Sequence, residues 1–280
     1  MVTVTGSARV GGQTLTASAS LTLPSATPSA WPDATNTGVP AGVTLTPYTG
    51  PTRITGTTTI DSALITAPIV ITKTGRLTLK RSKVRAEAFY LVLNDEGGTF
   101  TATDCEFDGM GNTPNDSAVA GYNYTLTRCN IHGTIDGLKL GSNVVVQDSW
   151  IHDLVMSGDS HNDGAQSLGA DTVLIRHNTI IIGKGSTSAI LLSTGSGAQR
   201  NVTIDGNLLG GGAFTVYGGY EPGVDSLSQV SNIRITNNHI TTVVYPTGGV
   251  YGPFTSVGSA AVTMSGNVWH DGPKAGQPAS

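Results

Sequence analysis

The chain is 280 residues long, with 19 acidic and 15 basic residues, a formal charge of −4 and only 12% of positions charged, against about 25% in an ordinary soluble domain. That balance gives no reason to expect electrostatic docking on nucleic acid or on an anionic membrane surface, and no apolar run approaches the roughly 18 residues of a membrane-spanning helix. With 37 glycines, abundant Thr, Ser, Asn and Val, and no stretch of 3.6-residue apolar period, the composition favours strands and tight turns over helices.

Residues 1–23 alternate in the strand manner, VTVTGSARV then QTLTASASLTL across Gly11 and Gly12, which predicts a β-hairpin serving as an attachment segment. A lone hairpin is marginal in water, so it needs another chain, a symmetry-related copy or the main domain to pack on. The opening MVTVTGSARVGG has neither the basic start nor the apolar core of a secretion signal. Residues 24–52 hold six of the 13 prolines (Pro24, Pro28, Pro32, Pro40, Pro47 and Pro51), which exclude a helix or a central strand. This segment reads as a linker, or as a strap capping the end of the next domain with Trp31 and Tyr48 as docking groups.

From about Arg53 a repeat begins. The phrases LTLKRSKV, FTATDCEF, YTLTRCNI, VVVQDSWI, VLIRHNTI, VTIDGNLL, IRITNNHI and VTMSGNVW align without gaps, and their sixth positions are Ser82, Cys105, Cys129, Ser149, Asn178, Asn207, Asn238 and Asn267. These positions recur every 20 to 31 residues, the range in which one supersecondary unit repeats as a solenoid. Each unit carries a second short run upstream, such as DGLKL, DGAQSL, AILLS or AFTVY. Short strands without helices predict an all-β parallel β-helix of about eight coils over 53–271, in which equivalent residues stack about 4.8 Å apart. The asparagines would then form an internal ladder. Leu79, Ala102, Leu126, Val146, Ile175, Ile204, Ile235 and Met264 would supply the core. Cys105 and Cys129 fall on neighbouring coils and read as stacked free thiols, because a disulfide between in-register parallel strands needs unusual geometry. No Cys or His pair at zinc spacing accompanies them, so no metal and no cofactor are expected. Residues 272–280 form a polar tail that is either mobile or caps the last coil.

The HNDG-Q phrase followed by VLIRHNTI resembles right-handed parallel β-helix proteins of the pectate-lyase-like superfamily. The segment WPDATNTGVPAGVTLTPYTGP followed by TTTIDSALITAPIVIT is similar to the entry into the β-helix of actinobacterial extracellular proteins and of minor tail proteins of phages that infect such hosts. The likeness covers about residues 31–270. It implies a right-handed helix, and it leaves activity open, because that superfamily includes lyases, hydrolases, epimerases and non-catalytic virion fibres.

Candidate chemistry centres on the stretch Ser160 to Ile180. Aligning the upstream strands places Asp136 over Asp163 and Lys139 over Gln166, each 27 residues apart, so the two carboxylates would lie roughly 5 Å apart, the separation of a retaining glycosidase pair. Both also precede glycine and suit turns. Lys139 could be the base or charge neutraliser of a uronate lyase, or a solvated lysine. His132 and His152 occupy matching positions, and with His161, His177, Asp153 and Asp163 they could make an acid–base or metal site, although a repeat places like residues together for architectural reasons alone. His161, Asp163, Asp136 and Lys139 are therefore the candidate catalytic residues. Tyr217, Tyr220, Tyr245 and Tyr251 could offer a glycan-stacking face, or serve the core or a subunit interface. The first expectation for function is a virion minor tail protein used in structure or host adsorption. It would be a homo-oligomer, with a trimer as one form, bound to other tail proteins through the hairpin and to a host cell-envelope glycan. The alternative is an extracellular polysaccharide lyase or glycoside hydrolase.

Overall fold

A computed structural model describes the backbone of Val2–Val10 and Gln13–Leu21, and residues 30–111, 115–220, 223 and 227–280. Val2–Val10 and Gln13–Leu21 pair antiparallel from Val2↔Leu21 to Val10↔Gln13; the Gly11–Gly12 link lies outside the described residues, as do Pro24, Pro28 and part of the loop after Tyr220. The chain divides into two compact units, Met1–Ala30 and Trp31–Ser280.

The second unit is a right-handed parallel β-helix. Its strands build three all-parallel sheets of nine, nine and ten strands, each strand hydrogen-bonded to its counterpart one coil earlier and one coil later. Sheet I runs from Arg53–Ile54 to Gly252–Val257, sheet II from Thr57–Asp61 to Val262–Ser265, and sheet III from Thr46–Pro47 to Val268–Trp269. Among the described residues there are thus nine full coils, one more than the eight repeated phrases. The additional coil passes through Thr58–Ile65, where Ile60 stands in register with Leu79 and Ala63 takes the sixth position.

The register explains why the phrase repeats. Its fifth residue is in the left-handed region in every coil, at Ser62, Arg81, Asp104, Arg128, Asp148, His177, Gly206, Asn237 and Gly266, with φ between 44° and 67°. For non-glycine residues that conformation costs roughly 1–2 kcal/mol each. It is held because the N–H at this corner donates to a carbonyl of the next coil, as from Arg81 to Thr103 at 3.0 Å and from Asn237 to Ser265 at 2.9 Å. The corner turns the sixth side chain inward, where its oxygen meets the N–H of the coil before. Ser82 Oγ accepts from Ala63 N, Ser149 Oγ from Cys129 N, and Asn178 Oδ1 from Ser149 N, at 3.0, 3.0 and 2.9 Å. Beside this polar column the expected apolar ladder from Leu79 to Met264 stands in register, every member buried except the partly exposed Met264.

Cys105 and Cys129 belong to the same column and are free, buried thiols. Burial pushes Cys105 up to about 12 and Cys129 well above the usual thiol range. Because the thiolate is the reactive form, a thiol reagent is expected to label both at least about a hundredfold more slowly in native protein than in urea.

The segment from Trp31 runs along the flank of the helix and reaches its first coil, where Thr46–Pro47 forms the terminal strand of sheet III. Trp31 packs its ring against His177, His239 and His270, with centroids 5.6, 5.1 and 5.9 Å away. Gly38 N then donates to Arg128 O at 2.9 Å, and Thr46 N to Ser62 O at 3.0 Å, so the segment crosses from late coils to the first one. At the other end the tail folds back: Ala279 N donates to Asn267 O and Trp269 N to Gln277 O, both at 2.9 Å, and Ala279 is buried.

Candidate functional site

Sheet I carries the predicted polar residues. Its outward row reads Leu93, Ala120, Lys139, Gln166, Leu191 along successive coils, and a neighbouring row reads Tyr90, Ser117, Asp136, Asp163, Ser188. The 27-residue offset is therefore the true register: Lys139 stands beside Gln166, and Asp163 N donates to Asp136 Oδ1 at 2.7 Å. Three of the four candidate residues form one network. Lys139 Nζ is bound to Asp136 Oδ2, donates to Gln166 Oε1 at 3.0 Å and lies 3.6 Å from Asp116 Oδ2. Gln166 Nε2 donates to Asp163 Oδ2 at 2.9 Å, and Ser188 Oγ donates to Asp163 Oδ1.

Burial sets the electrostatics. Asp136 is 1% exposed and Asp163 0%. Burial pushes Asp136 up to about 6 against the attraction of Lys139 and the Asp163 N–H. It raises Asp163 as well, against the hydrogen bonds from Ser188 and Gln166 and the influence of Lys139 and His161. For Lys139, burial works downward, and the carboxylates of Asp136, Asp116 and Asp163 outweigh it, so the amine stays charged. Both aspartates thus lie under the surface, committed to internal partners, and the polar side chains lining the groove above them are Lys139, Gln166 and Asp116.

His161 is exposed on the loop ahead of the Asp163–Ser167 strand. Its neighbour Asn162 is fully buried and ties three segments together: its amide nitrogen donates to Ile135 O and Val155 O, and its oxygen accepts from Ser160 Oγ. Asn162 is a structural peg. The other histidines lie elsewhere. His132 and His152 stack at 5.2 Å on sheet III, with Trp150 3.4 Å from His152. His177 sits at a corner with Asp148, 2.7 Å away. On sheet III, Glu106, Asp108 and His132 bring ligand atoms within 4.8 Å of one another. Lys83 Nζ already bridges the two carboxylates, 2.9 Å from Glu106 and 2.8 Å from Asp108, and Arg85 Nε lies 3.4 Å from Asp108, so cationic side chains balance the pair.

What the sequence reading missed is the groove over the Lys139 network. It has a volume of about 430 Å³ and runs across coils from Phe89 and Tyr90, past Asp116 and Tyr122, to Leu168 and Ser196. Phe89 is 62% and Tyr122 45% exposed, unusual for rings of that size. Phe89 is pinned by its carbonyl, which accepts from the N–H groups of Asp116 and Ser117. Tyr122 lies against the backbone at Gly141, where any Cβ would collide with its ring. Of the tyrosines expected to face a glycan, Tyr217 and Tyr251 gather around Phe214 in late coils, and Tyr245 OH accepts from Gly185 N. Alignment to the Asp136 column would have found Tyr90; Phe89 and Tyr122 lie in connections that carry no periodic signal.

Comparison with family models, with curated proteins and with solved structures found no match for this chain.

Proposed function

We propose that this β-helix is a non-cleaving glycan-recognition protein, acting in host adsorption as a minor component of a phage tail. The observation that carries the reading is the sheet I groove, in which exposed Phe89 and Tyr122 flank the Lys139, Gln166 and Asp116 side chains. Flat apolar rings beside planar amide and charged groups suit sugars, whose faces are apolar and whose edges are hydroxyls. The depth of Asp136 and Asp163 weighs against cleavage, since an acid or nucleophile must reach the scissile bond. The tail assignment draws on the likeness of residues 31–72 to β-helix entry segments of such proteins.

Phe89→Ala and Tyr122→Ala are each expected to lower affinity for a cell-envelope glycan about tenfold, with little change in thermal unfolding because neither ring belongs to the buried core. Wild-type binding indifferent to both substitutions sinks the groove as the site. New reducing ends or unsaturated ends in the incubated glycan overturn the non-cleaving reading. Mass spectrometry of purified virions tests the tail role, which fails if the chain is absent from them.

A further inference from the structure

Resting on that reading, we infer that the groove selects uncharged glycan chains and rejects uronates, sulfated sugars and sugar phosphates. A chain with an anion on each sugar requires cationic donors free to meet it. Three charged residues line the groove: Asp95, Asp116 and Lys139. Among the described residues Lys139 is the one cation lining the groove, and it already has internal partners. An ammonium has three donors; Lys139 gives two of them to Asp136 and Gln166 Oε1, and the Asp116 carboxylate stands 3.6 Å away as an ion-pair partner beside the third. An incoming carboxylate finds one donor left and meets the Asp116 carboxylate beside it, while Asp136 is buried and cannot turn to water to release another.

The remaining hydrogen-bonding capacity is acceptor-rich. Asp95 is exposed, and Asp116 touches Lys139 only at 3.6 Å, so both offer oxygens to sugar hydroxyls or to the N–H of an acetamido group. Gln166 is held at both ends, its oxygen by Lys139 and its nitrogen by Asp163, which leaves one N–H and one lone pair for a neutral polar edge. The groove therefore carries a net negative charge above another carboxylate. Between Phe89 and Tyr122 it has the apolar surface that stacks on uncharged pyranose faces. This departs from an acidic-polysaccharide ligand, to which a lysine on a β-helix face would otherwise point.

Titration calorimetry of the full chain with length-matched neutral hexose, N-acetylhexosamine and uronate oligomers, at low and high salt, tests the inference. A neutral oligomer is expected to bind with an affinity independent of salt and at least about tenfold tighter than the uronate. Asp95→Asn with Asp116→Asn, which releases Lys139 from one partner, is expected to shift the uronate-to-neutral affinity ratio upward about tenfold, and the shift shrinks in high salt. A uronate that binds wild-type protein as tightly as neutral oligomers, and weakens with salt, overturns the selectivity while leaving glycan recognition in place. Absence of binding by every oligomer overturns glycan recognition itself.

Discussion

Asn207→Ala is expected to destabilise the fold by about 3–5 kcal/mol, read as a lowered urea midpoint. Asn207 Oδ1 accepts from both the N and the Nδ2 of Asn178, at 2.9 and 3.0 Å. Its Nδ2 donates to Ile175 O at 3.0 Å and to Asn238 Oδ1 at 2.9 Å. All of these residues are 0% exposed, so groups left without Asn207 find no water, and each orphaned buried group costs about 1–3 kcal/mol. Asn207→Ser should recover part of the loss, because Ser149 in the same column already accepts a backbone N–H through its hydroxyl. Asn267→Ala should cost somewhat less, since Asn267 ends the ladder and makes three such hydrogen bonds, two from Asn238 and one to Ile235 O, where Asn207 makes four. A solenoid is stabilised coil by coil through its neighbours, so the Asn207 variant is also expected to broaden the unfolding transition. An Asn207→Ala midpoint within about 1 kcal/mol of wild type shows that the ladder contributes register rather than stability.

The same column explains how much of the fold could be read from the sequence. A corner held in the left-handed region must be followed by a side chain that fits inside and satisfies a backbone N–H, and Ser and Asn do this at matched positions. Ala63 fits inside but has no acceptor for a backbone N–H, so the first full coil carries no polar mark at its sixth position. The register of Asp136, Asp163, Lys139 and Gln166 was legible because strands pairing in parallel preserve offsets along the chain. Their burial was not, since it depends on Lys139 and Gln166 folding back over the carboxylates. The histidines show the opposite limit. His152 and His161 are close in sequence, but a triangular coil sends His152 outward from sheet III and sets His161 on the approach to sheet I. The groove aromatics were invisible for a further reason: Tyr122 is placed by contact with Gly141 of the next coil, and no local pattern encodes that.

Lys139→Met is expected to destabilise the protein by about 3 kcal/mol near neutral pH, because it strands the buried Asp136 carboxylate without its counter-charge. The effect should depend on pH with a definite sign. An unfolded aspartate titrates near 3.9, whereas Asp136 in the fold is pushed up to about 6. Between those values the folded chain holds a proton that the unfolded chain has lost, so wild-type stability from this group is full below about pH 4 and declines as pH rises through about 6, by about 3 kcal/mol. Removing the lysine raises the folded value further, which extends the decline to higher pH. The variant should therefore approach wild type in urea titrations near pH 4 and diverge above about pH 6. An equal deficit at both ends of that range attributes the loss to the missing lysine stem and refutes the charge argument. Adding Asp136→Asn to Lys139→Met should restore most of the stability at neutral pH, since the amide oxygen can still accept from Asp163 N and no charge is left to compensate. Failure of that rescue means the network is held by the shape of the carboxylate rather than by its ionisation.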